Sequence, residues 1–226
     1  MTDPSTLILE TSTPQASLAL AGPLDGVIER EFASDRSHQA CLFGPLGELL
    51  DTAAAGRLAR VLVGSGPGSY SGTRVGIAAA QGVALARECP AVAVPSILAL
   101  PAAAAGAACL VIGDARRGSY WLARIAAWRM EEDPHLTDAA GLVAAVACAL
   151  QRGIAVVSME EPLRFPLPDG LGAWVAQEFP SAQRLWRAWN LAAVATQAAW
   201  AAAAPQPIYL KPPHITPARR PWLVPP

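Results

Sequence analysis

The sequence predicts an α/β fold built from two similar halves. Short apolar runs of strand length alternate with longer segments of helix length, the pattern of strands covered by helices. The order of these segments in the first hundred residues recurs in the second half. A short strand, Arg60-Val-Leu-Val63, also leads through a glycine-rich loop straight into a helix. The expected lobes are residues 1–101 and 102–226.

Taken in order, Thr6–Glu10 and Ala16–Ala21 read as strands joined by a tight turn at Thr13-Pro14, and Gly26–Ala33 reads as a third. A helix fits Gln39–Asp51, with Ser37 placed to cap its first turn. Strand Val61–Val63 and helix Arg74–Arg87 complete a first unit of three strands, helix, strand, helix. Strand Ala91–Val94 follows, then a buried helix after Pro95. The second half begins with strands Cys109–Ile112 and Tyr120–Ala126 flanking Asp114-Ala-Arg-Arg-Gly118. It continues with helix Asp138–Leu150, strand Ile154–Val157, helix Leu191–Ala203 and strand Ile208–Leu210. Two units of βββαβα type suggest a duplication.

Composition narrows the function classes. With 226 residues and 53% hydrophobic content, the chain can bury a substantial core and is not of the disordered type. A formal charge of −1 leaves no global basic footprint for nucleic acid, so such contacts would need a local patch or a partner. Cys41, Cys89, Cys109 and Cys148 stand far apart without Cys-x-x-Cys spacing and read as reduced core residues. The start, Met-Thr-Asp-Pro-Ser, lacks a basic segment followed by an apolar one, which predicts a cytoplasmic protein. Residues 89–113 carry no charge, but Pro90, Pro95 and Pro101 interrupt them and remove donors that lipid cannot replace. That stretch reads as soluble core with no membrane contact.

The loop from Gly64 to Gly72 invites a phosphate-binding reading, because a helix N-terminus offers free N–H groups and a positive dipole end. Known phosphate patterns fail here. The Walker loop needs a lysine before its Ser/Thr, whereas this loop ends Gly72-Thr73-Arg74 and the only lysine is Lys211. Gly-x-Gly-x-x-Gly meets Ser69 or Ser71 where its third glycine belongs. A nucleophile elbow would need serine at Tyr70. What remains is a vestigial anion or nucleotide loop of Glu10, Gly66, Gly68, Ser69, Ser71, Gly72 and Arg74, with no catalytic residue and no metal site assigned.

The helix behind the loop is unusually smooth. Gly76, Ala79, Ala80, Val83 and Ala86 recur at three- to four-residue spacing. Glycine inside a helix costs about 1 kcal/mol relative to alanine, and Gly76 and Gly82 both sit there. Close approach of another backbone is the usual compensation, so a partner interface is expected on this stripe, completed by Leu42, Phe43, Leu46, Leu49 and Leu50 of the preceding helix. Packing on the chain's own sheet is the alternative. His38, His135 and His214 show no metal-ligand spacing. Asp114 caps the turn before Arg116-Arg117 or holds a cation, two readings that the sequence leaves open. The proline-rich tail 212–222, with Arg219, Arg220 and Trp222, reads as a solvated or packed end, with RNA contact as the alternative.

Four segments occur in one order: Leu7-Ile-Leu-Glu-Thr-Ser-Thr13, Gly66-Pro-Gly-Ser-Tyr-Ser-Gly-Thr-Arg-Val-Gly76, Asp114-Ala-Arg-Arg-Gly118 and Pro207-Ile-Tyr-Leu-Lys211. Together they resemble the TsaB (YeaZ) family over nearly the whole chain. The resemblance implies the two-lobed actin/sugar-kinase/Hsp70-like (ASKHA) fold in the cytoplasm. It further implies a non-catalytic scaffold that pairs with the catalytic subunit TsaD, alongside the ATPase TsaE, and supports threonylcarbamoyl transfer to adenosine 37 of tRNA. A homodimer is implied when the chain is alone, with tRNA met only through the complex. No tightly bound cofactor is implied, ATP and Mg²⁺ entering only in the complex. Glu10 stands where the family usually has aspartate, and Tyr70, Ser71 and Thr73 depart from the usual loop. The alternative is a stand-alone ATPase or kinase of the same fold, using Glu10 and the Gly66–Gly72 loop.

Overall fold

The structure is a computed structural model, and it describes residues 4–22, 26–33, 38–53, 57–104, 106–160, 165, 167–168 and 170–211. The first sheet consists of β1 (Ser5–Glu10), β2 (Gln15–Ala21), β3 (Val27–Ala33), β4 (Leu58–Gly64) and β5 (Ala91–Val94), in the order β3-β2-β1-β4-β5. β2 is antiparallel to both β1 and β3, whereas β4 runs parallel to β1 and β5. Register decides what each face carries. Leu7 lies between Leu20 and Val61, and Leu9 between Leu18 and Val63. These six side chains pack against Leu42, Leu46 and Leu49 of α1 (His38–Thr52) and Ile77, Ala80 and Ala84 of α2 (Tyr70–Ala86). The alternate residues Ile8, Ala19, Leu62 and Val92 face Ala182, Leu185 and Trp189 of α5 (Ala182–Leu191). A strand buried on both faces must be apolar without alternation, which explains the Leu7-Ile-Leu9 and Val61-Leu-Val63 runs. Burying each such side chain contributes about 1.5–3 kcal/mol.

The second sheet repeats this plan. Its strands are β6 (Cys109–Asp114), β7 (Tyr120–Ala126), β8 (Arg129–Thr137), β9 (Ala155–Ser158) and β10 (Val175–Gln177), ordered β8-β7-β6-β9-β10. β6 and β7, then β7 and β8, pair antiparallel, while β9 lies parallel to β6 and β10. One face is covered by Leu142, Val146 and Ala149 of α4 (Ala139–Gln151). The other packs on Ile97, Leu98, Leu100 and Ala103, from a 3₁₀ turn at Ser96–Ala99 and the short α3 (Pro101–Ala104), and on Ala188 of α5. The segment after β5, together with α5, therefore fills the layer between the two sheets. The last helix, α6 (Val194–Ala202), packs beside β5.

Two similar lobes of α/β type are thus present. All strands of the first sheet precede residue 102 and all strands of the second follow it, while α5 and α6 return to the first sheet. The lobes differ after their fourth strands. β4 leads into the 17-residue α2, whereas the described residues between β9 and β10 include only a 3₁₀ turn, Gly172–Trp174.

Several elements differ from expectation. β8, β10 and α5 are additional, and the helix expected at Leu191–Ala203 begins at Val194. Ile208–Leu210 forms no strand, because its one ladder-like bond is Ile208 N–H to the Ser65 carbonyl at 2.9 Å. The helix expected after Pro95 is a 3₁₀ turn plus four residues of α-helix. Among the four free cysteines Cys109 is buried, but Cys148 is exposed on α4, so it is not a core residue. No helix of the described residues is long and apolar enough to cross a membrane.

Candidate functional site

The glycine loop is positioned by the ends of β4 and β5 and by the turn after β1. Ser65 N–H donates to the Val94 carbonyl at 2.8 Å, and Gly66 N–H donates to Ser96 Oγ at 2.9 Å. Ser69 N–H donates to the Ser12 carbonyl at 2.6 Å. Ser69 is the N-cap of α2, its Oγ accepting from Gly72 N–H at 3.2 Å while its carbonyl accepts from Thr73 N–H at 3.0 Å. This cap starts the helix at Tyr70, four residues before the sequence-based start. Five amides of an apparent phosphate cradle, those of residues 65, 66, 69, 72 and 73, are therefore committed to acceptors within the chain. Two glycines are required by close approach. A Cβ at Gly68 would overlap the Ser12 carbonyl, and one at Gly76 would overlap Thr11 Oγ1, which itself donates to the Gly72 carbonyl at 2.9 Å.

Glu10 lies beneath this loop and is wholly buried. Its Oε1 accepts from Ser12 N–H at 2.8 Å, whereas Oε2 has no hydrogen-bond partner among the described residues. A Cβ at Gly64 would overlap that carboxylate, so the glycine is what lets it fit. Burial pushes the Glu10 carboxyl above its usual range, opposed more weakly by the nearby Ser12 hydroxyl and N–H, by the Ser96 hydroxyl and by the charge of Arg184.

Between the lobes lies a cavity of about 610 Å³. Ser65, Gly68, Ser69, Thr73 and Arg74 reach it from the first lobe, and Asp114 and Trp121 from the second. Glu10 is not among its lining residues, and Ser71 is not either. Segment 207–211 forms a third wall. There the Arg74 guanidinium sits 4.2 Å from the Tyr70 ring centre and 5.6 Å from that of Tyr209. Its Nε and Nη2 both donate to the Tyr209 hydroxyl, at 2.9 and 2.8 Å. Sequence reasoning picked out Arg74 as a loop residue and Tyr209 only within the Pro207–Lys211 segment, and it missed their pairing across 135 positions.

The Asp114 side chain accepts from Arg116 N–H at 2.6 Å and from its guanidinium at 2.7 Å. It therefore caps the turn, whose Arg116 and Arg117 are both left-handed at φ 65° and 59°. No cluster of three or more His, Cys, Asp or Glu able to hold a metal occurs among the described residues. His135 sits on β8, 3.6 Å from Glu132. His214, Ser37 (expected as a helix cap) and the tail residues Arg219, Arg220 and Trp222 lie outside the described residues.

The small-residue stripe divides between two faces of α2. Gly76 and Ala80 point into the chain's own core, together with Leu42 and Leu49 of α1. Ala79, Val83 and Ala86 line an open groove between α1 and α2, with Phe43 and Leu46 on the opposite side. Phe43 is 60% exposed. The groove occupies about 640 Å³ and is predominantly apolar. Of the residues expected at an interface, Phe43, Leu46, Leu50, Ala79, Val83 and Ala86 line this groove, and Val75, Ala78, Gly82 and Arg87 line it as well.

A family model described as TsaD, tRNA N6-adenosine threonylcarbamoyltransferase, matches residues 25–208. The chain is 31% identical over 123 residues to the tRNA threonylcarbamoyladenosine biosynthesis protein TsaB of Escherichia coli (strain K12), covering 51% of this chain and 52% of that protein. It is 32% identical over 100 residues to the protein of the same name from Haemophilus influenzae, covering 43% of this chain and 42% of that one. The chain spans about half the length of the curated relatives it matches. Two solved structures share its fold. One, from Pseudomonas aeruginosa, is described as an uncharacterized protein similar to peptidase YeaZ, with TM-score 0.64 at 21% identity over 92% of this chain and 100% of that one. The other, YeaZ from the same organism, gives TM-score 0.63 at the same identity and coverage. The two repeated sheets and these neighbours establish the ASKHA-like α/β fold. With that model matched over more than half its length, the chain belongs to the TsaD-type threonylcarbamoyladenosine family, where it stands with the TsaB (YeaZ) members.

Proposed function

We propose that this protein is a non-catalytic subunit in the biosynthesis of threonylcarbamoyladenosine in tRNA, docking on a TsaD-type catalytic subunit through the α1–α2 groove. The observation that carries this reading is the groove itself. It presents exposed Phe43 beside a floor of Ala78, Ala79 and Gly82, where a partner helix can approach closely. Catalysis by the chain alone is poorly supported by its residues. Glu10 is sealed under the loop, the amides of residues 65, 66, 69, 72 and 73 are taken within the chain, and Arg74 is bound to Tyr209. These residues do not fit a site for nucleotide phosphates and Mg²⁺, so ATP is assigned to the complex and no step is derived through it.

Pull-down with the cognate TsaD tests the reading. Ala79→Arg and Val83→Arg each place a guanidinium in the groove, and each should weaken binding about tenfold or more, equivalent to about 1.4 kcal/mol. Both variants should keep the wild-type circular dichroism spectrum, since neither position is fully buried. Full binding by both variants would remove the groove as the docking face. Homodimerisation through the same groove should weaken in parallel, read by light scattering.

A further inference from the structure

The segment after α6 has a role that none of the elements described so far supplies. It makes no ladder, since Pro205 and Pro207 lack N–H groups, and instead it is held at isolated points. On the first lobe, Ile208 N–H donates to the Ser65 carbonyl at 2.9 Å, and Tyr209 takes two hydrogen bonds from Arg74 while its ring lies 6.4 Å from that of Tyr70. On the second lobe, Lys211 Nζ donates to the Arg116 carbonyl at 2.9 Å, and Leu210 packs against the core under the second sheet. The segment thus bridges the two lobes while walling the cavity between them.

From this geometry we propose that residues 205–211 are a releasable strap that closes the interlobe cavity, latched by Arg74 and Tyr209. Two features make the latch weak enough to open. Arg74 is exposed and Tyr209 is 50% exposed, so water competes for their bonds. The acceptor of Arg74 is a neutral phenol, and Arg74 has no ion pair with a carboxylate among the described residues. Behind the latch, Trp121 lines the cavity yet is only 3% exposed, so its indole reports whether the cavity is closed. The proposal is independent of the docking function assigned to the α1–α2 groove.

The test uses the full chain and three variants, Tyr209→Phe, Tyr209→Ala and Lys211→Met. Amide hydrogen exchange reads the Ile208 N–H, and hydroxyl-radical footprinting reads Trp121, with the buried Trp128 and Trp189 as internal references. Tyr209→Phe keeps the ring and removes only the acceptor. It should speed exchange at Ile208 about tenfold, which corresponds to about 1.4 kcal/mol. Tyr209→Ala should raise Trp121 oxidation severalfold with Trp128 and Trp189 unchanged, and Lys211→Met should move both readouts in the same direction. Unchanged exchange and oxidation in all three variants would overturn the strap, and so would a parallel rise at all three tryptophans, which signals general loosening.

Discussion

Gly76 and Gly82 lie on the same helix, six residues apart, and substituting each by alanine should have opposite effects. Either change gains helix propensity of about 0.8–1 kcal/mol. At Gly82 a Cβ meets nothing within 4 Å, so the gain is uncompensated and the isolated chain should be stabilised by about that amount. At Gly76 a Cβ would overlap Thr11 Oγ1. Moving that hydroxyl breaks its bond to the Gly72 carbonyl, worth about 1 kcal/mol, and overpacking adds about 1–3 kcal/mol. The net for Gly76→Ala is a loss of about 1–3 kcal/mol after subtracting the propensity gain. Urea unfolding with thermal scans of the monomer at low concentration would read both variants, and 1 kcal/mol shifts Tm by about 2–4 °C in a chain of this size. Destabilisation by Gly82→Ala, or equal shifts for the two variants, would refute the assignment of the two glycines to different faces. The pair also bears on function. If Gly82→Ala stabilises the monomer and weakens binding to TsaD, the glycine is kept for a partner's approach rather than for the fold.

Two further outcomes follow from buried ionisable groups. The folded Glu10 carboxyl titrates above its unfolded value of about 4.5, so the folded state holds the proton to higher pH. Its stabilising contribution is full below that unfolded value and is lost as pH rises through the raised folded value. Glu10→Gln should therefore gain on wild type in urea midpoint between pH 4 and pH 8, and a pH-independent difference would disprove an ionising Glu10. Among the thiols, burial, assisted by the charge of Glu178, pushes Cys109 up to about 12. With a chromogenic disulfide at pH 8, Cys148 should react at once and Cys109 only on unfolding; equal rates would contradict the burial of Cys109.

The first lobe was more legible than the second, for reasons visible in particular residues. β1 and β4 are apolar runs bounded by turn signals, and α1 and α2 carry clear apolar spacing. β8 reads Arg-Met-Glu-Glu-Asp-Pro-His-Leu-Thr and resembles a loop, because an edge strand tolerates proline and charge that a central one does not. The turn before it is Ala127-Trp128, both at positive φ, in place of the Asn-Gly that announces such a hairpin. α5 did carry a signal. Ser181 caps it, and Ala182, Leu185, Ala188 and Trp189 fall on one face. The interlobe site was legible only in part, since Tyr209 reaches Arg74 across a chain separation for which sequence has no periodicity to follow.

The asymmetry between the lobes explains why the glycine loop resembles a ligand cradle. Both sheets have the same strand order, but among the described residues only the first has a long helix after its fourth strand. That helix must start close to β1 and β5 to bury Ile77, Ala80 and Ala84 on the sheet. Gly64 and Gly68 allow the chain to pass over Glu10 and Ser12, and Ser69 then caps the helix, so five amides of the loop are spent on this docking. The buried side of α2 is fixed by those contacts, and its opposite side is left as the apolar groove with Phe43. Anion affinity and a smooth outer face are therefore competing uses of one loop–helix unit, and the inward amides decide for the face. A loop that kept its amides for phosphate would have to release Ser69 from Ser12 and Gly66 from Ser96, which would withdraw the support that holds α2 on the sheet.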